Sequence, residues 1–309
     1  MSIKGRQQKA KHLVVKGKPG RVIGTVGRRV MVHDHEGQRV CYLSGQRAVV
    51  GDRVRWEEAP GTGGKLVGVE ERTNSLMRRD LRGKERLLAA NLKGIVVVAT
   101  SVAPDFDPML VDRYLVAANA EGLSASICLN KQDLGIGDEV EEYLIKRESL
   151  GYPCFRISAK TGAGLLELRE HISELTRGGE GPLALVGLSG VGKTSIIASL
   201  LPQIDVGPVG ELSEYWEQGR HTTTGSRLFE LPEGGELVDS PGIRSFTPAG
   251  LTGAEVRDYF PGIAGLKCQF RDCLHEVKQK GCRAEEECGP EVLRAYRRLM
   301  EYLEAGKKY

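Results

Sequence analysis

The octapeptide Gly187-Leu188-Ser189-Gly190-Val191-Gly192-Lys193-Thr194 reads G-x-x-x-x-G-K-T, and it restricts the fold more than any other stretch of the chain. Such a loop must join a β-strand to a helix, because its backbone N–H groups and the helix N-terminus converge on a phosphate. The apolar run 183–186 before it and the helical run 195–201 after it meet that requirement. Lys193 then brings charge to β- and γ-phosphate oxygens, the Thr194 hydroxyl can ligate Mg2+, and Ser195 completes the phosphate-binding set. Around this loop, apolar runs at 94–100, 125–129 and 154–157 alternate with helical patterns such as 108–120 and 165–175. With two further strands at 226–231 and 236–239, they predict an α/β domain of about six strands, mostly parallel and covered on both faces.

A phosphate loop does not choose a base. Asn130-Lys131-Gln132-Asp133 follows the strand at 125–129 and has the form N-K-x-D. Guanine presents N1–H and N2–H2 as paired donors, which one Asp133 carboxylate can accept; adenine would leave that carboxylate unsatisfied. Lys131 can lay its stem over the base, and Ser158-Ala159-Lys160 ends the next strand, where its backbone can reach the guanine carbonyl. Asp239-Ser240-Pro241-Gly242 is a D-x-x-G element, with Asp239 toward the Mg2+ hydration shell and the Gly242 N–H toward the γ-phosphate. Between phosphate loop and D-x-x-G lies Gly219-Arg220-His221-Thr222-Thr223-Thr224, in which any of the three threonines can serve Mg2+. Ordinary GTPases place N-K-x-D and S-A-K last; here they come first. The motif order is circularly permuted, with the old termini joined near 177–182.

The position after the D-x-x-G glycine, where many GTPases orient water with Gln, is Ile243. His221, beside the threonines, is the first candidate to position the water, with Lys193 and Thr194 completing the catalytic set and Arg220 as an alternative finger.

Four of the seven cysteines crowd into the C-terminal region. Cys268, Cys273 and His275 followed by Cys282 form a Cys3His zinc set, with Cys288 an alternative fourth ligand. Pro290 opens a helix whose stripe is Leu293, Tyr296, Met300 and Leu303; Arg294, Arg297 and Arg298 lie off it, facing either RNA or solvent.

At the other end, residues 1–30 carry nine basic groups and no acid. Such an arm suits phosphate backbones, or merely keeps the chain in solution. Five short β-rich runs at 21–26, 29–33, 39–43, 52–56 and 65–69 predict a small barrel, OB-fold first and SH3-like second. Its only aromatics are Tyr42 and Trp56, so contact with RNA should rest mainly on phosphates and shape. Residues 72–86 read as a basic connector. The expected divisions are arm 1–18, barrel 19–75, permuted GTPase domain 76–247 and helical zinc domain 248–309. No run is long enough to span a bilayer and no apolar leader follows the first basic residues, so a cytoplasmic location without a membrane partner is expected.

Barrel, permuted GTPase and Cys/His region, together with the strings G-R-H-T-T-T, D-S-P-G and G-L-S-G-V-G-K-T-S, are similar to the RsgA (YjeQ) family of bacterial small-subunit-biogenesis GTPases. The resemblance covers roughly residue 21 to the C-terminus, although the interval from His275 to Cys282 is one residue longer than usual there. It implies GTP, GDP and Mg2+ as nucleotide and cofactor and one structural Zn2+. It also implies a monomer that binds the 30S subunit or its 16S rRNA, ribosome-stimulated hydrolysis of GTP to GDP and phosphate, and release late in maturation. The family's matching histidine supports His221 as the water-orienting residue. Two rivals stand beside this reading. A permuted GTPase of large-subunit assembly would not be expected to join this barrel to a zinc region. An RNA-binding module that only senses nucleotide would not need the full Lys193, Thr194 and Asp239 set.

Overall fold

The computed structural model describes residues 16–60, 63–79, 85–179, 181–201, 226–239 and 253–305. Strands β1 (Lys18–Val26), β2 (Arg29–Asp34), β3 (Gly37–Tyr42), β4 (Arg53–Ala59) and β5 (Gly63–Val69) follow the residue alternation of half-buried strands. Every second side chain, Val30, Val32, Cys41, Val54, Trp56 and Leu66 among them, turns into one core. The barrel closes in the order 1-2-3-5-4-1, with β3 and β5 parallel and the other pairs antiparallel. That closure is the OB-fold arrangement and removes the SH3-like alternative. Trp56 is wholly buried; its Nε1 donates to Asp34 Oδ2 at 3.1 Å and the Arg39 guanidinium lies 4.2 Å from its ring centre.

Residues read as a basic connector instead form a hairpin, β6 (Ser75–Arg79) with β7 (Glu85–Ala90). The apolar residues Leu76 and Ala89 supply its buried side, a pattern that the arginines around them hide in the sequence.

The second sheet is built from β8 (Gly94–Thr100), β9 (Ser124–Asn130), β10 (Cys154–Arg156), β11 (Leu183–Val186), β12 (Arg227–Glu230) and β13 (Glu236–Asp239). Their spatial order is 10-9-8-11-13-12, parallel throughout except β12. β8 is buried along its whole length because it is covered twice. Ile95, Val97 and Ala99 pack under α1 (Pro108–Ala120) and α2 (Asp138–Ser149), while Val96 and Val98 pack under α3 (Leu165–Thr176) and α4 (Lys193–Leu200). α2 is polar apart from a few core positions, and its Arg147 is tied to the fully buried Asp112 of α1, with Tyr143 donating to the same carboxylate oxygen at 2.7 Å. The two sheets are continuous: Gly24 of β1 pairs with Arg227 of β12, and Arg21 Nη1 reaches Glu236 Oε1 at 2.6 Å.

The C-terminal region contributes α5 (Gly253–Tyr259), α6 (Ala284–Glu287) and α7 (Pro290–Ala305). Its core takes in Val116 of α1, so α1 serves two cores at once, and Asn119 Nδ2 donates to Tyr259 O at 2.8 Å. No helix among the described residues is long and apolar enough to cross a membrane.

Candidate functional site

The phosphate loop leaves β11 at the carboxyl end of the parallel strands, where α/β sheets bind ligands. Gly187, Gly190 and Gly192 all have positive φ, at 143°, 87° and 93°. A Cβ on Gly187 would stand 2.2 Å from Val98 O, so the loop can leave the sheet only through glycine. Lys193 is buried and its Nζ donates to the carbonyls of Gly187 and Leu188, at 2.9 and 2.8 Å. Burial lowers its pKa and the Asp239 carboxylate partly offsets that. A desolvated ammonium held by two loop carbonyls, with Asp239 within electrostatic reach, suits a polyphosphate and its divalent cation.

Asn130, at the end of β9, fastens this loop to the base-reading loops. Its Nδ2 donates to Val191 O at 2.9 Å, and its Oδ1 accepts from the Ala159 N–H at 3.0 Å. That N–H, expected to face the guanine carbonyl, is therefore engaged when the chain is alone. Lys131 adopts φ 64° and its Nζ reaches Ala103 O at 2.6 Å and Gly190 O at 2.8 Å, so its stem crosses from the base-reading turn to the phosphate loop. Asp133 lies in the short 3-10 turn of residues Gln132–Leu134, and its Oδ1 accepts from Ser158 Oγ at 2.6 Å. One carboxylate oxygen is thus held by the S-A-K loop. Asn130, Lys131, Asp133, Ser158 and Ala159 are brought together with residues 187–193; Lys160 follows in the same turn, and Thr194 and Ser195 lie in the first turn of α4. His221, the threonines Thr222, Thr223 and Thr224, Arg220 and Gly242 lie outside the described residues.

The second site is the Cys/His cluster. Cys268, Cys273, His275 and Cys282 place one ligand atom each within 4.8 Å of one another. His275 Nδ1 stands 3.6 Å from the sulfurs of Cys268 and Cys273 and 3.4 Å from that of Cys282. Tetrahedral zinc at its usual bond lengths separates nitrogen and sulfur by about 3.5 Å, so the donor set fits that metal. Cys288 turns away: its thiol donates to Ala284 O at 2.8 Å and packs into the α7 core. The seven-residue interval closes through left-handed backbone at His275, Lys278 and Gly281. Around the cluster, the Arg283 N–H meets Cys268 Sγ at 3.4 Å, and Arg297 donates to His275 O and Glu276 O at 2.8 and 3.0 Å. Arg297 therefore ties the Cys/His loop to α7, whereas Arg294 and Arg298 are exposed. Nothing in residue spacing announces that role, since it depends on carbonyls two elements away.

In a conventional GTPase the phosphate-loop strand comes first. Here the same sheet is entered at β8, and the base-reading elements after β9 and β10 precede the phosphate loop. This defines the class of circularly permuted P-loop GTPases. A family model described as RsgA GTPase matches residues 69–248. The small ribosomal subunit biogenesis GTPase RsgA of Azotobacter vinelandii is 38% identical over 306 residues, covering 92% of this chain and 85% of that protein. Its namesake in Hahella chejuensis is 37% identical over 278 residues, covering 85% and 76%. The crystal structure of YjeQ from Thermotoga maritima superposes with a TM-score of 0.71 at 27% identity, covering 92% of this chain and 98% of that one. YloQ, described as a circularly permuted GTPase, shares the fold with a TM-score of 0.68 at 24% identity and coverage of 96% and 98%. The chain belongs to the RsgA GTPase family and is a GTP-hydrolysing enzyme.

Proposed function

We propose that this chain is a monomeric, cytoplasmic assembly factor that binds the small ribosomal subunit through its 16S rRNA and hydrolyses GTP to GDP and phosphate as that subunit matures. The observation that carries the reading is the whole-length relationship: 92% of the chain aligns with a protein named for small-subunit biogenesis, barrel and Cys/His region included. Within the site, Asp133 accepts the paired donors of guanine with the carboxylate that Ser158 orients. Lys131 covers the base while tied to Gly190, and Lys160 with Gln132 closes the pocket. Lys193 exchanges its two loop carbonyls for β- and γ-phosphate oxygens, gaining a charged partner for a buried cation. Thr194, Asp239 and one of the three threonines would hold Mg2+, which would supply positive charge against the phosphates. His221 orients the attacking water, and Gly242 senses the γ-phosphate. One zinc on Cys268, Cys273, His275 and Cys282 is structural, because four protein ligands leave no open position.

Sedimentation tests the partner. With a non-hydrolysable GTP analogue the protein should pellet with purified small subunits and largely release them with GDP. Preferential pelleting with large subunits would hand the function to large-subunit assembly.

A further inference from the structure

Helix α1 has no free face along its middle: every residue from Leu110 to Ala118 is buried. A helix enclosed on all sides must find cover for the polar groups it carries, and three successive side chains find it in three different elements. Asp112 meets Arg147 and Tyr143 of α2. Arg113, only 5% exposed, is covered by Tyr302 of α7, whose ring centre lies 4.8 Å from the guanidinium carbon. Tyr114, wholly buried, turns to the phosphate loop, where it lines a small hollow with Val97, Gly187, Leu188 and Val191. Burial pushes the Tyr114 phenol pKa up; Arg113 and the Gly187 backbone N–H, which faces the phenol oxygen, partly offset that.

Gly187 is where this contact matters. Its carbonyl and that of Leu188 accept from Lys193 Nζ at 2.9 and 2.8 Å, and both lose that donor when the lysine turns to phosphate oxygens. The hollow on the Tyr114 side gives the loop room to shift as they do. We propose that Tyr114 is a positioning residue that holds Gly187 in the nucleotide-bound loop, and that Arg113 and Tyr302 link it to α7, so that the seating of the C-terminal helix on α1 regulates affinity for GTP and GDP. This rests on the Lys193 exchange proposed above. Residues 113 and 114 stand about 100° apart on one helical turn, so α7 cannot displace Arg113 without turning Tyr114 against the loop. Binding free energies are reciprocal, and nucleotide in turn steadies α7.

The test uses the full chain, with GDP and a non-hydrolysable GTP analogue carrying a fluorescent ribose label. Tyr114→Phe, which removes only the hydroxyl, should weaken both nucleotides about tenfold. Tyr302→Leu should weaken them about threefold. In the double variant the Tyr302 effect should vanish, because its route to the loop is already cut; a tyrosine that merely filled space would leave the two losses to multiply. Hydrogen exchange reads the reciprocal effect: saturating GDP should slow the amides of α7 in the wild type and leave them unchanged in Tyr114→Phe. Wild-type affinity in Tyr114→Phe, or losses that multiply in the double variant, would overturn the proposal. So would wild-type α7 exchange indifferent to GDP, a result that needs no substitution to be tolerated. Lys193→Ala, titrated in parallel, separates the failures. If it binds like the wild type, the Lys193 reading falls as well; if it binds weakly while Tyr114→Phe is unaffected, only the link through α1 is lost.

Discussion

A Cβ on Gly192 would lie 2.4 Å from the Asn130 amide nitrogen, so the phosphate loop and the base-reading loop are packed too closely for any other residue there. This contact explains why two motifs sixty residues apart behave as one site. It was half legible in the sequence: the tetrapeptide at 130–133 and the octapeptide at 187–194 each announce a ligand contact, but neither reveals that Asn130 spends both ends of its side chain on protein. Asp133 is the residue we propose for base specificity. Asp133→Asn should sharply weaken GTP binding and favour xanthine nucleotide, whose extra carbonyl can accept from the amide; titrations with both nucleotides decide it, and unchanged GTP affinity would remove Asp133 from the pocket. For hydrolysis, the Ile243 side chain cannot hydrogen-bond water, and His221 is the residue we propose for that role. His221→Ala should lower subunit-stimulated turnover by ~10²–10⁴ with GTP affinity nearly unchanged. If that variant turns over normally and Arg220→Ala does not, the arginine holds the role.

Helices and strands with strong apolar runs are plain in the sequence, and weakly patterned ones are not. β8, β11 and α1 occupy the runs expected of them because burial on two faces, or along a wide stripe, leaves little polarity to confuse the period. α2 escapes notice because its buried side includes Arg147, whose charge is matched only by Asp112 from another helix. The β6–β7 hairpin escapes because arginines crowd its ends. In the Cys/His loop the ligand spacing was readable, but the choice of Cys282 over Cys288 came from α6, which points the Cys288 thiol at its own helix. Burial pushes the Cys273 thiol up to about 11, so the metal-free cluster keeps that proton at neutral pH and zinc must displace it. Zinc affinity should therefore rise with pH. Competition with a chelator should extract the metal more readily near about pH 6 than near about pH 8. Equal extraction, or fresh protein with no zinc, would contradict a thiolate site.

At the scale of the whole molecule, three units share structure rather than hang from linkers. The barrel extends the central sheet through β1 and β12, and the C-terminal core closes on α1, which also roofs the sheet beside the phosphate loop. Permutation adds the remaining link, since the chain passes from Asp239 through residues 240–252 into α5 with no other domain between. A change at the γ-phosphate thus has a covalent path to the Cys/His region and a packed path through α1. The order of motifs made the permutation legible; the pairing of barrel with sheet was not, because Gly24 and Arg227 carry no signal of their meeting. The central claim, a GTPase whose turnover serves the small subunit, is tested most directly by phosphate release with and without purified ribosomal subunits. Turnover should be slow for the protein alone, rise at least about tenfold with saturating small subunits, and stay low with large ones. The same slow rate whether or not small subunits are present would contradict the account.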